Sequence, residues 1–259
     1  MSTTTSVRGR FLWYEIMSGD PAAAKAFYPR VTGWGTQDME IMDQAYTVWM
    51  NGERPGGGVM QRPPEAKAAG ATPHWLCYVG TDDVDATLKA VEKAGGQKMM
   101  GPMDIPTVGR IGVCADPQGA VFAVFTPEDE MPEAEPAPRL FSWHELATTD
   151  YQAAFAFYSA LFGWEEIEAL DMGPAGTYYM YGRNGVPLGG MYNKSEDQPG
   201  PAWLPYVQVE DVAVAAKRAE KEGGKVIVGP MEVPGGDLII QGMDREGAMF
   251  ALHQAAPKS

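Results

Sequence analysis

The chain has little of what most often carries chemistry. Its 259 residues include two cysteines, Cys77 and Cys114, and three histidines, His74, His144 and His253. Both thiols sit in apolar, strand-like runs and read as small core residues, with neither a disulfide framework nor a Cys-x-x-Cys motif. That suits a reducing, cytoplasmic setting. The histidines are too scattered to make a metal site by local spacing. Basic residues are scarce as well: 20 Lys and Arg stand against 34 Asp and Glu, for a net charge of −14. Nucleic acid and anionic membranes, which need a basic surface, are not expected partners. No apolar run is as long as a bilayer span, and the first residues lack the apolar stretch of a signal peptide. Serine or cysteine nucleophile motifs, a phosphate-cradling Gly-x-x-x-x-Gly-Lys and a dinucleotide fingerprint at a strand-to-helix turn are missing too.

What the chain does have is a copy of itself. Phe11-Leu-Trp-Tyr-Glu-Ile-Met-Ser-Gly-Asp20 returns as Phe141-Ser-Trp-His-Glu-Leu-Ala-Thr-Thr-Asp150. Phe27-Tyr28 and Gly33-Trp34 return as Phe157-Tyr158 and Gly163-Trp164. Gly101-Pro102-Met103 and Asp116-Pro117-Gln118-Gly119 return as Gly229-Pro230-Met231 and Asp244-Arg245-Glu246-Gly247. The offset, roughly 130 residues, is the size of a small domain, so the chain reads as a duplicated domain.

Each half divides again into two units with one plan. A short apolar strand leads into a helix that opens on Asp20, Asp83, Asp150 or Asp211, residues suited to cap free backbone N–H groups. Gly95-Gly96 and Gly223-Gly224 close two of these helices, and Pro29 should end or kink the first. Short apolar runs separated by Gly, Pro, Asn and Asp follow and read as strands. The order strand, helix, three strands occurs four times. The expected boundaries are a tail at 1–10, one domain at 11–127, an acidic, proline-rich, extended and exposed linker at 128–139, and a second domain at 140–255.

Four such units, with Asp-Pro-x-Gly before the last strand, resemble the vicinal oxygen chelate superfamily of glyoxalases, extradiol dioxygenases and bleomycin-resistance proteins. Trp75–Ala86 and Gly109–Val124 look especially like its two-domain, glyoxalase-like members. The resemblance covers nearly the whole chain. It implies an α+β fold of four βαβββ units forming two open, cup-shaped barrels. Sequential pairing of the units and swapped pairing, first with fourth, both remain open. The superfamily's metal enzymes take a His or Gln from the first strand of a unit and a Glu from the last. The matching positions here are Trp13, Leu76, Trp143 and Leu204, then Ala123 and Ala251. None can ligate a divalent cation, so no metal site and no cofactor are expected.

Side chains two apart on a strand share a face, which puts Trp13 with Glu15 and Trp143 with Glu145. By the resemblance those faces line the cups. A carboxylate against apolar walls should gain proton affinity and suit acid-base work, which makes Glu15 and Glu145 the candidate catalytic groups. Each could instead pair with a nearby Arg, Tyr or backbone N–H and order its strand. His144, adjacent to Glu145, should point the other way. Trp13, Trp143, Trp75, Tyr78, Trp203, Tyr206, Met60 and Met191 are the candidate substrate-binding residues. Tyr28, Tyr158, Phe27 and Phe157 read as helix-to-sheet core, and Trp34 and Trp164 as closing it. The direction of Trp49, Tyr178, Tyr179 and Tyr181 is not fixed by the sequence. Arg110 reads as a surface residue, with an anion-binding role as the alternative.

The expected function is that of a metal-independent, glyoxalase-like protein that binds a small, mostly apolar organic molecule. Acid-base chemistry of a lyase or isomerase comes first. Non-catalytic sequestration is the alternative, and a metal-dependent lactoylglutathione lyase or dioxygenase with atypical ligands is the third reading. The expected assembly is a monomer or homodimer.

Overall fold

The computed structural model describes residues 6–132 and 136–257; the first five residues of the tail and the linker residues 133–135 lie outside the described residues. The first quarter of the chain is β1 (Phe11–Ser18), α1 (Pro21–Thr32), β2 (Gly35–Ile41), β3 (Gln44–Asn51) and β4 (Arg54–Gln61). A short helix α2 (Pro64–Ala68) follows. The second quarter is β5 (His74–Gly80), α3 (Val84–Lys93), β6 (Gln97–Ile105), β7 (Gly109–Ala115) and β8 (Val121–Pro127). The third is β9 (Phe141–Thr148), α4 (Tyr151–Phe162), β10 (Glu165–Asp171), β11 (Thr177–Arg183) and β12 (Val186–Asn193). The fourth is β13 (Ala202–Gln208), α5 (Val212–Lys221), β14 (Lys225–Glu232), β15 (Leu238–Met243) and β16 (Met249–Gln254).

Aspartate opens four of the helices, as the sequence suggests. Asp20 and Asp150 each accept from two backbone N–H groups of the first turn, and Asp83 and Asp211 from one. Pro29 does not end α1. The helix runs on to Thr32 and stops at Gly33, whose φ of 82° is left-handed. The last turn buries Tyr28, Val31 and Thr32, and that packing outweighs the one hydrogen bond a proline forfeits.

The strands form two mixed sheets of eight, in the orders β2-β3-β4-β1-β5-β8-β7-β6 and β10-β11-β12-β9-β13-β16-β15-β14. Within a quarter the last three strands pair antiparallel in sequence, while the first strand runs parallel to the last, as β1 to β4 and β9 to β12. The fold is α+β, built from the four βαβββ quarters that the repeat implies.

Contacts resolve the chain into two compact units. Among the described residues, one comprises 6–13, 77–132 and 144–203; the other comprises 14–76, 136–143 and 204–257. Each unit thus gathers most of two quarters, second with third and first with fourth. The same device appears in both. In the first, Asp116 accepts from Gln118 N (2.9 Å) and Ala120 N (2.8 Å) across its own turn, and from the Tyr158 hydroxyl of α4 (3.0 Å). In the second, Asp244 accepts from Glu246 N and Ala248 N (both 2.9 Å) and from the Tyr28 hydroxyl of α1 (2.9 Å). Burial first, and the neighbouring carboxylate second, push both phenols well above the usual tyrosine range. The Asp-x-x-Gly turn therefore ties one quarter to the helix of another.

Aromatic rings fill the rest of each core. Trp164 stacks on Tyr181 (4.5 Å) and Tyr158 (5.5 Å) in one unit, and Trp34 stacks on Trp49 (5.7 Å) in the other. Cys77 and Cys114 are fully buried, and burial raises both thiols far above their ordinary range. Arg110 is paired, with Asp85 and Asp104 each at 2.6 Å. Of the linker, Glu128, Asp129 and Glu130 are exposed as expected, but its end is held: the Arg139 carbonyl accepts from Trp34 Nε1 (2.7 Å) and the Pro138 carbonyl from Asn51 Nδ2 (3.1 Å).

Candidate functional site

The parallel register sets Glu15 of β1 beside Gly58 of β4, and the antiparallel register sets Val48 of β3 on the other side of that glycine. Tyr46, two residues from Val48, lies on the same face. Its ring crosses Gly58, where a Cβ would collide with the phenol. The Tyr46 hydroxyl donates to Glu15 Oε1 at 2.7 Å. The second half repeats the construction. Glu145 of β9 pairs in register with Gly190 of β12, the Tyr178 ring crosses that glycine, and the Tyr178 hydroxyl donates to Glu145 Oε2 at 3.1 Å. Both carboxylates are buried, with 7% of Glu15 and 8% of Glu145 exposed.

The two copies then diverge. Beside Tyr46 the repeat places Met60; beside Tyr178 it places Tyr192. The Tyr178 and Tyr192 rings stack, with centroids 6.3 Å apart and planes at 22°. The Tyr192 hydroxyl accepts from Gln198 Nε2 at 3.0 Å, and Gln198 Oε1 accepts from Ser195 N at 2.9 Å, so the turn after β12 is docked on the ring. Burial and then the charge of Glu145 push the Tyr192 phenol up to about 12.

The other anticipated residues divide between the two faces. Trp13 and Trp143 are half-buried, each two residues before its glutamate. Tyr78 is buried and meets Phe125 edge-on (6.4 Å), and the Tyr206 hydroxyl accepts from Gln241 Nε2 (2.5 Å). Trp75 and Trp203 serve the core instead: Trp75 meets the Tyr28 ring edge-on at 5.1 Å, and Trp203 Nε1 donates to the Tyr158 hydroxyl at 3.0 Å. Strand alternation puts these indoles opposite Tyr78 and Tyr206. Met191 is fully buried and lies on the reverse side of β12 from Gly190, the position that Val59 takes in the first copy. His144 also points away from Glu145: it is buried, its ring stacks on Phe11 at 3.7 Å, and its Nδ1 lies 2.8 Å from the Leu188 carbonyl.

Tyr46, Tyr192 and Gln198 are the residues that sequence reasoning passed over. Their signal was the glycine pair in matching positions of both copies, Gly57-Gly58 and Gly189-Gly190, which makes room for a ring lying across the strand. One further chain of polar groups has the residue types of a hydrolase triad. Ser142 Oγ lies 2.9 Å from His253 Nδ1, and Asp237 Oδ2 lies 2.7 Å from His253 Nε2. The ring nitrogens are used in the reverse sense to a hydrolytic triad, and Asp237 Oδ1 also accepts from Ala256 N (2.7 Å), so this chain clamps strand ends.

Comparison with known proteins covers both halves. The family model described as Glyoxalase/Bleomycin resistance protein/Dioxygenase superfamily matches residues 10–124 and 140–252. A Mycobacterium tuberculosis protein that carries the name glyoxylase CFP32 is 29% identical over 250 residues, covering 95% of each chain. The anthracycline biosynthesis protein DnrV of Streptomyces peucetius is 32% identical over 257 residues, covering 93% of this chain and 91% of its own. Among solved structures, the Mn(II)-bound glyoxalase of Novosphingobium aromaticivorans aligns with a TM-score of 0.63 at 17% identity, over 96% of this chain and 82% of its own. That likeness shows the fold alone. A divalent metal of that kind does not fit the donors present. The positions that the superfamily resemblance assigns to metal ligands hold Trp13, Leu76, Trp143, Leu204, Ala123 and Ala251, and among the described residues no three His, Cys, Asp or Glu side chains gather. Two tandem matches, four βαβββ quarters and relatives aligned over almost their whole length agree: the chain belongs to the glyoxalase/bleomycin resistance protein/dioxygenase superfamily.

Proposed function

We propose that this protein is a metal-independent, glyoxalase-like enzyme that binds a small, mostly apolar organic molecule and moves a proton on it, with Glu145 as the base. The observation that carries this reading is the buried Glu145 carboxylate held by the Tyr178 hydroxyl, in a register that recurs at Glu15 and Tyr46. Tyr178 orients the carboxylate, and the surrounding rings exclude water from it. A carboxylate so placed can take a proton from carbon next to a carbonyl and return it, which is isomerase- or lyase-type chemistry and needs no further reactant. Glu15 is the matching anchor in the first half. A relative named for anthracycline biosynthesis supports an aromatic ligand.

The test uses 1-tetralone, an apolar aromatic ketone with exchangeable hydrogens beside its carbonyl. In D2O, the wild-type protein should accelerate deuterium uptake at that carbon. Glu145→Gln should slow uptake about a hundredfold while changing affinity less than about threefold, because general-base catalysis is worth roughly that much. Binding without uptake would assign the protein to sequestration. Uptake that is unaltered in the variant would remove Glu145 from the role of base.

A further inference from the structure

The two halves share the Glu–Tyr pair but not what stands beside it. Around Glu15 the neighbouring position on the strand is Met60, a side chain that cannot donate a hydrogen bond. Around Glu145 the same position is Tyr192, whose ring stacks on Tyr178 and whose hydroxyl oxygen is engaged as an acceptor by Gln198. An acceptor role for the oxygen leaves the phenolic hydrogen to be given elsewhere. Burial first, and the charge of Glu145 second, raise the Tyr192 phenol, which strengthens its hold on that hydrogen. The site therefore holds a carboxylate acceptor and a phenolic donor, with the Tyr178 ring that binds the carboxylate stacked on the Tyr192 ring. The Gln198 turn fixes the donor's direction: Lys194 Nζ binds the carbonyls of Ser195 (3.2 Å) and Gln198 (3.1 Å), which closes that turn on itself.

We infer that Tyr192 is a second catalytic residue, the donor that receives negative charge on the substrate oxygen while Glu145 removes the adjacent carbon-bound proton, and that the Glu145 site accordingly takes aromatic ketones with an enolisable hydrogen. This rests on the function proposed above and adds its electrophilic half and its substrate class. The step balances. The C–H bond breaks, its proton goes to the Glu145 carboxylate, and its electron pair becomes the new C=C bond. The carbonyl π pair moves onto oxygen, where the Tyr192 O–H meets it. Return of the proton to carbon reverses each movement. The Glu15 site, with Met60 in that place, has no such donor from this strand position.

Tyr192→Phe keeps the ring and its stacking and deletes only the hydroxyl. With 1-tetralone in D2O, the variant should lose about a hundredfold in the first-order exchange rate at saturation, in line with the loss of one oxyanion donor. Its affinity for tetralin, the same ring system without the carbonyl, should be unchanged by tryptophan fluorescence titration. A purely structural role would instead weaken tetralin and tetralone alike. If wild type exchanges deuterium in a Glu145-dependent way and Tyr192→Phe matches it, this inference falls and the proposed function stands. If wild type does not exchange at all, both fall. Gln198→Ala gives an intermediate loss if the turn directs the hydroxyl; a rate equal to wild type would contradict that directing role.

Discussion

Asp116→Ala is expected to lower stability by about 4 kcal/mol, because three donors lose their acceptor at once and a buried group left unsatisfied costs about 1–3 kcal/mol. Two are backbone N–H groups of the turn, on Gln118 and Ala120, and the third is the fully buried Tyr158 hydroxyl. Tyr158→Phe removes the last of these and also the acceptor of Trp203 Nε1, so it should cost about 2 kcal/mol. Asp244→Ala should behave alike in the other unit, where Tyr28 stands in for Tyr158. Urea denaturation measures all of these. A shift below about 1 kcal/mol for Asp116→Ala would mean that water replaces the carboxylate and that the Asp-x-x-Gly turn does not hold its unit together.

Acid should expose a second weak point at His144. Burial lowers its imidazole from 6.5 to about 4, while the unfolded chain keeps the ordinary value. Below pH 6.5 the unfolded state therefore binds a proton that the folded state refuses, and stability is lost as pH falls toward 4. The full contribution, present above the unfolded value, is about 3 kcal/mol at 1.36 kcal/mol per pH unit. Asp116 and Asp244, whose carboxyls burial raises, work in the opposite sense, so the comparison must isolate the histidine. The stability difference between wild type and His144→Gln should shrink by about 3 kcal/mol between pH 7.5 and pH 4. A difference that is constant with pH would show that the ring protonates freely in the folded protein.

Much of the architecture was legible because local signals recur fourfold. Asp20, Asp83, Asp150 and Asp211 begin helices by capping, a short-range interaction that sequence displays directly. The pairing of quarters was not legible. It depends on contacts such as Tyr158 with Asp116 and Tyr28 with Asp244, whose partners lie far apart in the chain and carry no local mark. The candidate site was half visible. The repeat singled out Glu15 and Glu145, which the structure buries, but the phase of neighbouring strands was harder. Trp75 and Trp203 look like lining residues by composition, yet each spends its ring on a helix tyrosine. Met60 and Met191 look like equivalents by residue type, whereas alignment of the glycine pairs makes Tyr192 the counterpart of Met60. Residue type misled where register would have decided.

The central claim is that a carboxylate held by a phenol does here the work that superfamily metal enzymes give to a cation. Its most direct test is the 1-tetralone exchange rate measured on protein dialysed against a strong chelator, then again with added Mn(II), Ni(II), Zn(II) or Fe(II). The account predicts full activity after chelation, no gain with any added ion, and loss in Glu145→Gln. Exchange that vanishes with chelation and returns with one of those metals, in wild type and Glu145→Gln alike, would contradict it.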